Sequence, residues 1–385
     1  MTHTTELLNA DNVIDRLYLK YRNSYEPFQL LQVIVDHLNT IFTAHKYDRE
    51  FVKERIIKIL GYQEKLHKLS QMPVVEQRSP EWYEMRQTRI TASDFAQALG
   101  EGKFASQKQF YQKKCGYEMD NFDNNAAPLK WGIKYEPIAI DAYACRNQVK
   151  MVEFGLLPHP TISWFGASPD SITELGVMVE IKCPWKRKIT GEVPKQYMYQ
   201  MQGQLDVCDL DECDFLECEF LEYDDEEEFK RHFNDNTNEK GVIIEYAHKG
   251  NYSFLYSPFE HHANLQQTLR WKKETLENLI HEPDKTFVKA YHWQLHTFSV
   301  VRVYRDKALL KDKMSLLKQV WEKIVLYKQN KDLYEKDLNT VKVAKSAKAC
   351  EEIDIDIDLL DQRHQSSKAT VKNTGYAFLS DSDTD

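Results

Sequence analysis

A glutamate and a lysine one residue apart interrupt the apolar run MVEIKCPW, which extends from Met178 to Trp185. An apolar run of this length predicts a buried strand, and buried strands avoid charge. Because alternate side chains of a strand share a face, Glu180 and Lys182 point the same way. The upstream sequence SWFGASPD predicts a short strand that ends at Ser168 to Asp170. A hairpin between the two strands would bring Asp170 beside Glu180 and Lys182.

This arrangement favours chemistry on a phosphate group. Carboxylates are hard oxygen ligands that suit Mg²⁺ or Mn²⁺, and such an ion lowers the pKa of bound water. A lysine beside them can orient water or stabilise charge on phosphate oxygens. An ordinary ion pair is the alternative, since E-x-K is common in strands, and the preceding Pro-Asp favours catalysis. We expect one face of the strand to enter the core (Val177, Val179, Ile181, Cys183) and the other to line a cleft (Met178, Glu180, Lys182).

The composition is that of a globular protein with one large domain or two smaller ones, since 42% of the 385 residues are hydrophobic and 12% are aromatic. The net charge of -9 argues against a general polyanion binder. The charge is uneven, however, and basic residues gather in two groups (Lys103, Lys108, Lys113, Lys114; Lys182, Lys186, Arg187, Lys188, Lys195).

The sequence predicts a soluble intracellular protein without membrane contact, because it has no apolar run near the ~20 residues that span a bilayer and no signal-peptide pattern at its start. Seven cysteines, an odd number, fit a reducing compartment. Cys208, Cys213 and Cys218 recur every five residues, which raises a metal site as an alternative, but no C-x-x-C accompanies them and ordinary thiols remain the default. His292 and His296 have the i, i+4 spacing of a helical zinc site, but the residue after His292 is a tryptophan and not the glutamate of the H-E-x-x-H motif.

The first 76 residues predict amphipathic helices that pack on the main domain or on a partner. Helix starts are predicted at Ser79-Pro80 and at Thr91 or Ser93, the latter helix ending at Gly100. KWGIKYEPIAIDAYACR predicts a helix interrupted or kinked at Pro137.

Downstream, the pattern predicts short strands, the helix PKQYMYQMQGQLDVC and two further strands (CDFLECEFLE and GVIIEYA). From about 258 to 349 it predicts mixed, mostly helical structure. The last 35 residues or so predict an acidic, disordered tail.

Four blocks together resemble the phage lambda exonuclease and YqaJ-type viral recombinase family of the PD-(D/E)xK nuclease superfamily. They are WYEMRQTRITASD, KWGIKYEPIA, FGASPDSI with VEIKCPW, and YMYQMQ, and they lie between Arg78 and Val207. The segment WQLHTFSVVRVYRD and Trp321 add a weaker similarity to homologues in large DNA viruses.

The resemblance assigns a role to each matching residue. It implies Asp170, Glu180, Glu136 and the Ile181 carbonyl as metal ligands, and Lys182 and Gln200 as further catalytic residues. It also implies groups that bind DNA or its 5′-phosphate: Arg86, Ser93, Gln202, and a basic contact among Lys186, Arg187 and Lys188, of which Lys188 fits best by spacing.

The implied fold is α/β, of α+β type, with a restriction-endonuclease-like core in which helices flank a mixed central sheet. The expected domains are a helical extension over 1–76, an exonuclease domain over 77–300, a helical region over 301–349 and a disordered tail over 350–385.

The implied function is a Mg²⁺-dependent deoxyribonuclease, with Mn²⁺ as a substitute, that digests duplex DNA 5′ to 3′ from 5′-phosphorylated ends by attack of metal-activated water. It would leave 3′ single strands for recombination, repair or strand annealing. The alternatives are an endonuclease or mixed alkaline nuclease on the same fold, and a non-catalytic DNA-end-binding protein. Expected partners are DNA ends and a single-strand annealing protein, with the chain acting as a ring or a monomer in the host cytoplasm or nucleus if it is viral.

Overall fold

The computed structural model describes residues 10–73, 75, 77, 79–103, 105–117 and 127–337. The predicted tail over 350–385 lies outside the described residues. Among the residues described, no helix is both long and apolar enough to cross a membrane.

Helices form the N-terminal part of the chain and flank the sheets elsewhere. They are α1 Ala10–Tyr21, α2 Pro27–Ile41, α3 Arg49–Ser70, α4 Pro80–Gln87, α5 Phe95–Ala98, α6 Gln107–Cys115, α7 Ala127–Asn147, α8 Lys195–Cys208, α9 Glu226–His232, α10 Leu265–Ile280 and α11 Lys307–Gln329. Short 3₁₀ turns cover Ala92–Asp94 and Phe259–His261.

The strands form two sheets. They are β1 Ile90–Thr91, β2 Met151–Val152, β3 Leu157–Pro158, β4 Phe165–Ala167, β5 Ser171–Thr173, β6 Met178–Lys182, β7 Glu212–Tyr223, β8 Lys240–His248, β9 Asn251–Tyr256 and β10 Lys285–Tyr304. The large sheet has the order β2-β5-β6-β7-β10-β8-β9, and the small sheet has the order β1-β4-β3. In the large sheet β6 and β7 are parallel, and every other neighbouring pair is antiparallel. The mixed sheet flanked by helices confirms the predicted fold class.

Each face of the central strands has its own core. Val179, Ile181 and Cys183 of the β6 segment pack in one apolar cluster with α7. Met178, on the opposite face, belongs to a second cluster that includes residues of α8 and α11. This division confirms the predicted alternation of β6, and it places Glu180 and Lys182 on the face that α8 covers.

Helix α4 begins as its sequence predicts, because Ser79 caps it by accepting a hydrogen bond from the Trp82 N–H and Pro80 occupies the first turn. Helix α7, in contrast, runs unbroken through Pro137. Of the two predicted outcomes, an interruption or a kink at Pro137, the interruption was wrong. Proline removes one backbone hydrogen bond, and packing of α7 on β6 and β7 holds the helix together without it.

The C-terminal part contains a 20-residue strand, β10, where the sequence predicted mostly helix. β10 pairs with β7 along one edge and β8 along the other, and the register shifts once in each pairing. Each shift breaks the two-residue alternation that marks a strand in sequence. α10 and α11 confirm the helical part of that prediction, while the domain limits stay a prediction.

Candidate active site

Asp170 lies beside the β6 strand, as the hairpin prediction requires. Its Oδ2 accepts a hydrogen bond of 2.8 Å from the Ile181 N–H. The strand that pairs with β6 is β5, which follows Asp170, whereas β4 before it belongs to the small sheet. The predicted pairing partner was therefore wrong by one strand, and the Asp170 carboxylate extends the β5–β6 pairing by one bond.

Glu180 is fully buried and is held by three donors. Its Oε1 accepts from Gln200 Nε2 at 2.7 Å and lies 2.9 Å from Lys182 Nζ. Its Oε2 accepts from Gln204 Nε2 at 2.7 Å. Gln200 and Gln204 are four residues apart on α8, so they lie on one face of that helix. The structure thus brings Glu180, Lys182 and Gln200 together, as predicted from the motif.

The face of β6 that carries Glu180 and Lys182 is not an open cleft, because only 0% and 2% of these residues are exposed. Lys182 Nζ also lies 4.9 Å from the centre of the Tyr197 ring. The prediction of a cleft-facing strand was wrong in this respect, since α8 packs over the two charges. The site is open to solvent on the side of Asp170, because that residue is partly exposed.

Three carboxylates influence one another here. Dense surroundings raise the pKa of the Asp170 carboxyl well above its usual range, and the charges of Glu180 and Glu136 raise it further. Lys182 and the Ile181 N–H oppose that rise in the pKa. Glu136 lies on α7, which packs against β6. The three carboxyl groups therefore lie close enough to disfavour one another's negative charge, and a bound cation would offset that repulsion.

These residues suit a Mg²⁺ ion in chemistry, because Mg²⁺ is commonly held by one or two carboxylates and keeps several waters. Asp170 and Glu180 would hold it, with Glu136 and the Ile181 carbonyl as further oxygen donors. Within the described part of the chain, no group of three or more His, Cys, Asp or Glu side chains is arranged so that it could hold a metal ion unaided. Water and phosphate oxygens would have to complete the coordination.

Arg86 and Ser93 form a second polar group. Arg86 Nη2 donates to Ser93 Oγ at 3.0 Å, and the guanidinium lies 4.4 Å from the centre of the Trp82 ring. Ser93 Oγ also lies 3.0 Å from Thr91 Oγ1. Two predicted phosphate-binding residues are therefore in direct contact.

The Arg86 group is linked to the carboxylates through Trp82 and α8. Trp82 Nε1 donates to Ser168 Oγ at 3.4 Å, two residues before Asp170. A Cβ at Gly203 would lie 3.0 Å from Ala92 Cβ, so the absence of a side chain lets α8 approach the 3₁₀ turn that carries Ser93. The Arg86–Ser93 group and the carboxylates therefore lie against adjacent parts of the fold.

The basic residues after the strand differ in what they contact. Arg187 Nη2 lies 2.5 Å from Oε1 of Glu217, which is buried on β7. Lys186 and Lys188 are exposed, and Lys186 Nζ lies 4.0 Å from the centre of the Trp185 ring. Lys188, which the spacing favours, is therefore available at the surface for a phosphate contact.

Gln202 does not join the site. Its Nε2 donates to the Tyr304 carbonyl at 2.9 Å, and its Oε1 accepts from the Asp306 N–H at 2.6 Å. It lies two positions from Gln200 and Gln204, and therefore on the other side of α8. The structure gives it a role in fixing the turn between β10 and α11.

Sequence reasoning missed Gln204, and also missed the pair Asp94 and Lys114 described below. Gln204 could have been found from its i, i+4 spacing to Gln200. Cys208, Cys213 and Cys218 are buried, and burial raises the pKa of the Cys208 thiol to about 12. His292 and His296 lie on β10 rather than on a helix, so they lack the geometry of a helical zinc site.

The candidate site thus consists of Glu180 and Lys182 on β6 of the mixed sheet, with Asp170 beside them. Residues 81–211 match the model of the YqaJ-like viral recombinase domain, and all four sequence blocks fall inside that range. This part of the chain is therefore similar to that domain, which confirms the resemblance inferred from its motifs.

Relatives are found in large DNA viruses. An uncharacterized protein of Acanthamoeba polyphaga mimivirus is 28% identical over 360 residues, which cover 83% of this chain and 64% of that protein. A protein of African swine fever virus is 26% identical over 159 residues, which cover 34% of this chain and 46% of that protein. The chain thus spans less than two thirds of the length of these curated relatives.

The solved structures to which the chain is similar include an alkaline exonuclease from Laribacter hongkongensis, with 20% identity and a TM-score of 0.41, covering 68% of this chain and 100% of that chain. A phage-related exonuclease from Haemophilus somnus has 12% identity and a TM-score of 0.35, covering 64% of this chain and 96% of that chain.

Proposed function

We propose that this protein is a Mg²⁺-dependent deoxyribonuclease that digests duplex DNA 5′ to 3′ from 5′-phosphorylated ends. The observation that carries the proposal is the contact of Glu180 with Lys182, beside Asp170, inside a YqaJ-like viral recombinase domain. The product would be a 3′ single strand suited to recombination or strand annealing. Mn²⁺ would substitute for Mg²⁺, since both ions prefer carboxylate oxygens.

Each residue of the site has a chemical task. When bound, the Mg²⁺ ion would lower the pKa of water and offset the charge of the phosphate under attack. Gln200 and Gln204 keep the Glu180 carboxylate in one orientation. Lys182, 2.9 Å from Glu180 Oε1, would donate to water or to a phosphate oxygen that enters the site from the Asp170 side.

The Arg86 and Ser93 group supplies the end specificity in this proposal. A guanidinium and a hydroxyl in contact present several donors to one phosphate, and an arginine can donate to two phosphate oxygens at once. A terminal phosphate is the group that distinguishes an end from the interior of a strand. Binding there would place the adjoining phosphodiester near the carboxylates.

The test is hydrolysis of linear, 5′-phosphorylated duplex compared with covalently closed circles, in Mg²⁺. We expect the linear DNA to be digested and the circles to be spared. Lys182→Met should lower kcat by at least about 100-fold, because it removes a donor to developing charge. Lys240→Met is the matched control, since Lys240 is also a buried strand lysine, and its Nζ donates to Asn236 Oδ1 at 2.6 Å, away from this site. Equal cutting of circles would instead identify an endonuclease or mixed alkaline nuclease.

A non-catalytic DNA-end-binding protein is the second candidate. It is favoured by the finding that no set of three potential ligand side chains in the described residues could hold a metal by itself. The same assay separates the two candidates, because this protein would bind ends tightly and degrade no DNA in Mg²⁺ or Mn²⁺. In both cases binding should weaken steeply with salt, since each phosphate contact releases counterions.

Assembly with other molecules forms part of the proposal. A nuclease that leaves 3′ strands would deliver them to a single-strand annealing protein. A ring around DNA would make digestion processive, whereas a monomer would release its substrate more often. Gel filtration with light scattering, with and without duplex DNA, separates the ring from the monomer.

A further inference from the structure

A buried ion pair lies directly behind Arg86 and Ser93. Asp94 and Lys114 are 3% and 1% exposed, and Lys114 Nζ lies 2.6 Å from Asp94 Oδ2. Isolated buried ion pairs add little net stability, because removing both charges from water costs about as much as their attraction returns. Their position therefore calls for another explanation.

Lys114 fixes the helix end that carries Arg86. Its Nζ donates to the carbonyl oxygens of Arg86 at 2.8 Å and Arg89 at 2.6 Å. Carbonyls at the C-terminal end of a helix have no partner within the helix, so a lysine there replaces the missing donors. The backbone of Arg86 is thus held from α6.

Asp94 fixes the turn that carries Ser93. Its Oδ2 accepts from the Thr91 N–H at 3.1 Å and from Thr91 Oγ1 at 2.8 Å. Thr91 Oγ1 in turn contacts Ser93 Oγ, which accepts from Arg86. A closed ring of contacts therefore runs through the side chain of Arg86, Ser93, Thr91, Asp94, Lys114 and back to the Arg86 backbone.

The charge of this group suits a doubly charged phosphate. Lys113 Nζ lies 3.6 Å from Asp94 Oδ1, so three basic side chains (Arg86, Lys113, Lys114) surround one carboxylate. Burial lowers the pKa of Lys114 to about 7, and the charges of Arg86 and Lys113 alone outnumber that of Asp94. A terminal phosphate monoester approaches two negative charges at neutral pH, because its second pKa is about 6, whereas a phosphodiester carries one. Excess positive charge thus favours the end of a strand over its interior.

We propose that Asp94 and Lys114 are positioning residues that set the preference of the Arg86–Ser93 pocket for a 5′-phosphate. The inference rests on the proposed function, which assigns that pocket to the strand end. Without the pair, Arg86 and Ser93 keep their chemical groups but lose the fixed spacing between them. Recognition of the monoester would then fall, whereas the carboxylate site would be unaffected.

The test is binding of 5′-phosphorylated and 5′-hydroxyl duplexes in EDTA, where no cleavage occurs, followed by KM and kcat for both duplexes in Mg²⁺. The variant is Asp94→Asn/Lys114→Met, which keeps the shape of both side chains and removes both charges. We expect the affinity ratio of the two duplexes to fall at least about 10-fold, and the loss in catalysis to appear in KM. If the double variant fails to fold, Thr91→Val serves in its place, because it removes the hydroxyl that links Asp94 to Ser93 and leaves the buried ion pair intact.

The control is Glu226→Gln/Lys272→Met, which removes an ion pair of 2.5 Å between α9 and α10 and should leave the ratio unchanged. If the folded double variant keeps the wild-type affinity ratio while Arg86→Ala abolishes it, the inference about Asp94 and Lys114 is wrong and the assignment of the pocket stands. A wild-type protein with equal affinity for both duplexes would overturn the inference together with the assignment of the pocket. Wild-type preference without any cleavage would overturn the nuclease proposal and leave the inference supported by the binding arm.

Discussion

Both oxygens of Glu180 are occupied by amide donors of one helix, and this arrangement gives Gln204 a role equal to that of Gln200. Groups that orient a ligating carboxylate are worth about 10–100-fold in metal affinity or activity. If the proposed function holds, Gln204→Leu should raise the Mg²⁺ concentration for half-maximal activity by about 10-fold or more. A Mg²⁺ titration of nuclease rate, together with calorimetric Mg²⁺ binding, measures the effect.

Gln202→Leu provides the comparison on the same helix. It removes two hydrogen bonds at the turn between β10 and α11, so it should lower stability and leave the Mg²⁺ requirement unchanged. An equal shift of the Mg²⁺ requirement in both variants would mean that α8 acts through its general stability rather than through Glu180.

His292 makes stability depend on pH in a defined direction. Burial, and then the charge of Lys272, lower the pKa of His292 from 6.5 to about 4 in the folded protein. Between these values the unfolded chain binds a proton that the folded chain does not, so the free energy of unfolding falls as pH falls from 6.5 to 4. From pH 7 to 4.5 the loss is about 2 kcal/mol.

Urea unfolding at these two pH values measures this contribution. His292→Gln has no titrating group in this range, so its stability should fall by about 2 kcal/mol less than that of the wild type over the same interval. Other acidic groups titrate equally in both proteins and cancel from the comparison. Parallel losses in the two proteins would show that His292 is protonated in the folded state.

At the scale of residues, the sequence predicted which side chains lie together better than it predicted what surrounds them. The P-D and E-x-K spacing was sufficient to bring Asp170, Glu180 and Lys182 together. It could not reveal that α8 buries the last two, because the packing angle of a helix on a sheet is set by distant contacts such as that between Gly203 and Ala92. Asp94 and Lys114 were visible only as ordinary charges, since their pairing depends on the path of α6.

Among the elements, the β5–β6 hairpin depends on a glycine that faces the N-terminal helices. Gly176 has a φ of +81°, and a Cβ there would lie 2.2 Å from Tyr62 Cβ of α3. Gly250 has the same φ of +81° with nothing within 4 Å among the described residues. The two positions therefore share the conformational requirement and differ in the steric one.

Gly250→Ala should cost about 1 kcal/mol, which is the penalty of the left-handed conformation alone. Gly176→Ala should cost about 1–3 kcal/mol more, because the added methyl forces α3 away from the hairpin. Denaturant unfolding of both variants measures the difference. Equal losses would mean that α3 moves without resistance, and that the N-terminal helices contact the hairpin only loosely.

The elements also show where pattern reading fails. The start of α4 and the ends of α8 were predicted well because capping residues and proline act locally. β10 was missed because two bulges interrupt its alternation and both of its edges are paired. α7 was predicted to be interrupted or kinked at Pro137 because a local penalty of about 3 kcal/mol was considered without the packing that offsets it.

At the scale of the whole molecule, a buried charge network joins the N-terminal helices to the sheet. Arg55 of α3 donates to Asp15 at 2.8 and 2.6 Å and to Glu212 of β7 at 2.6 Å. Glu212 also pairs with Arg302 of β10 at 2.5 Å, and Tyr143 of α7 donates to Asp214 at 2.6 Å, beside Arg302. The helical extension thus packs on the sheet, as one of the two predicted alternatives had it, and buried ion pairs as well as apolar contacts form that interface.

We therefore expect α1 to α3 and the sheet to unfold in one cooperative step that depends on Arg55. Arg55→Met leaves Asp15 without its guanidinium partner in a buried position and should cost about 3–5 kcal/mol. Arg270→Met is the control, because Arg270 pairs with Glu274 at 2.8 Å with 80% of its side chain exposed, and such surface pairs contribute about 0–1 kcal/mol.

Hydrogen exchange followed residue by residue shows directly whether the N-terminal helices and the sheet unfold in one step. In Arg55→Met, protection of α3 and of β7 should fall by the same amount, since loss of the shared network destabilises both. Loss of protection in α3 with β7 unchanged would instead mean that the N-terminal helices unfold independently and only cover the sheet.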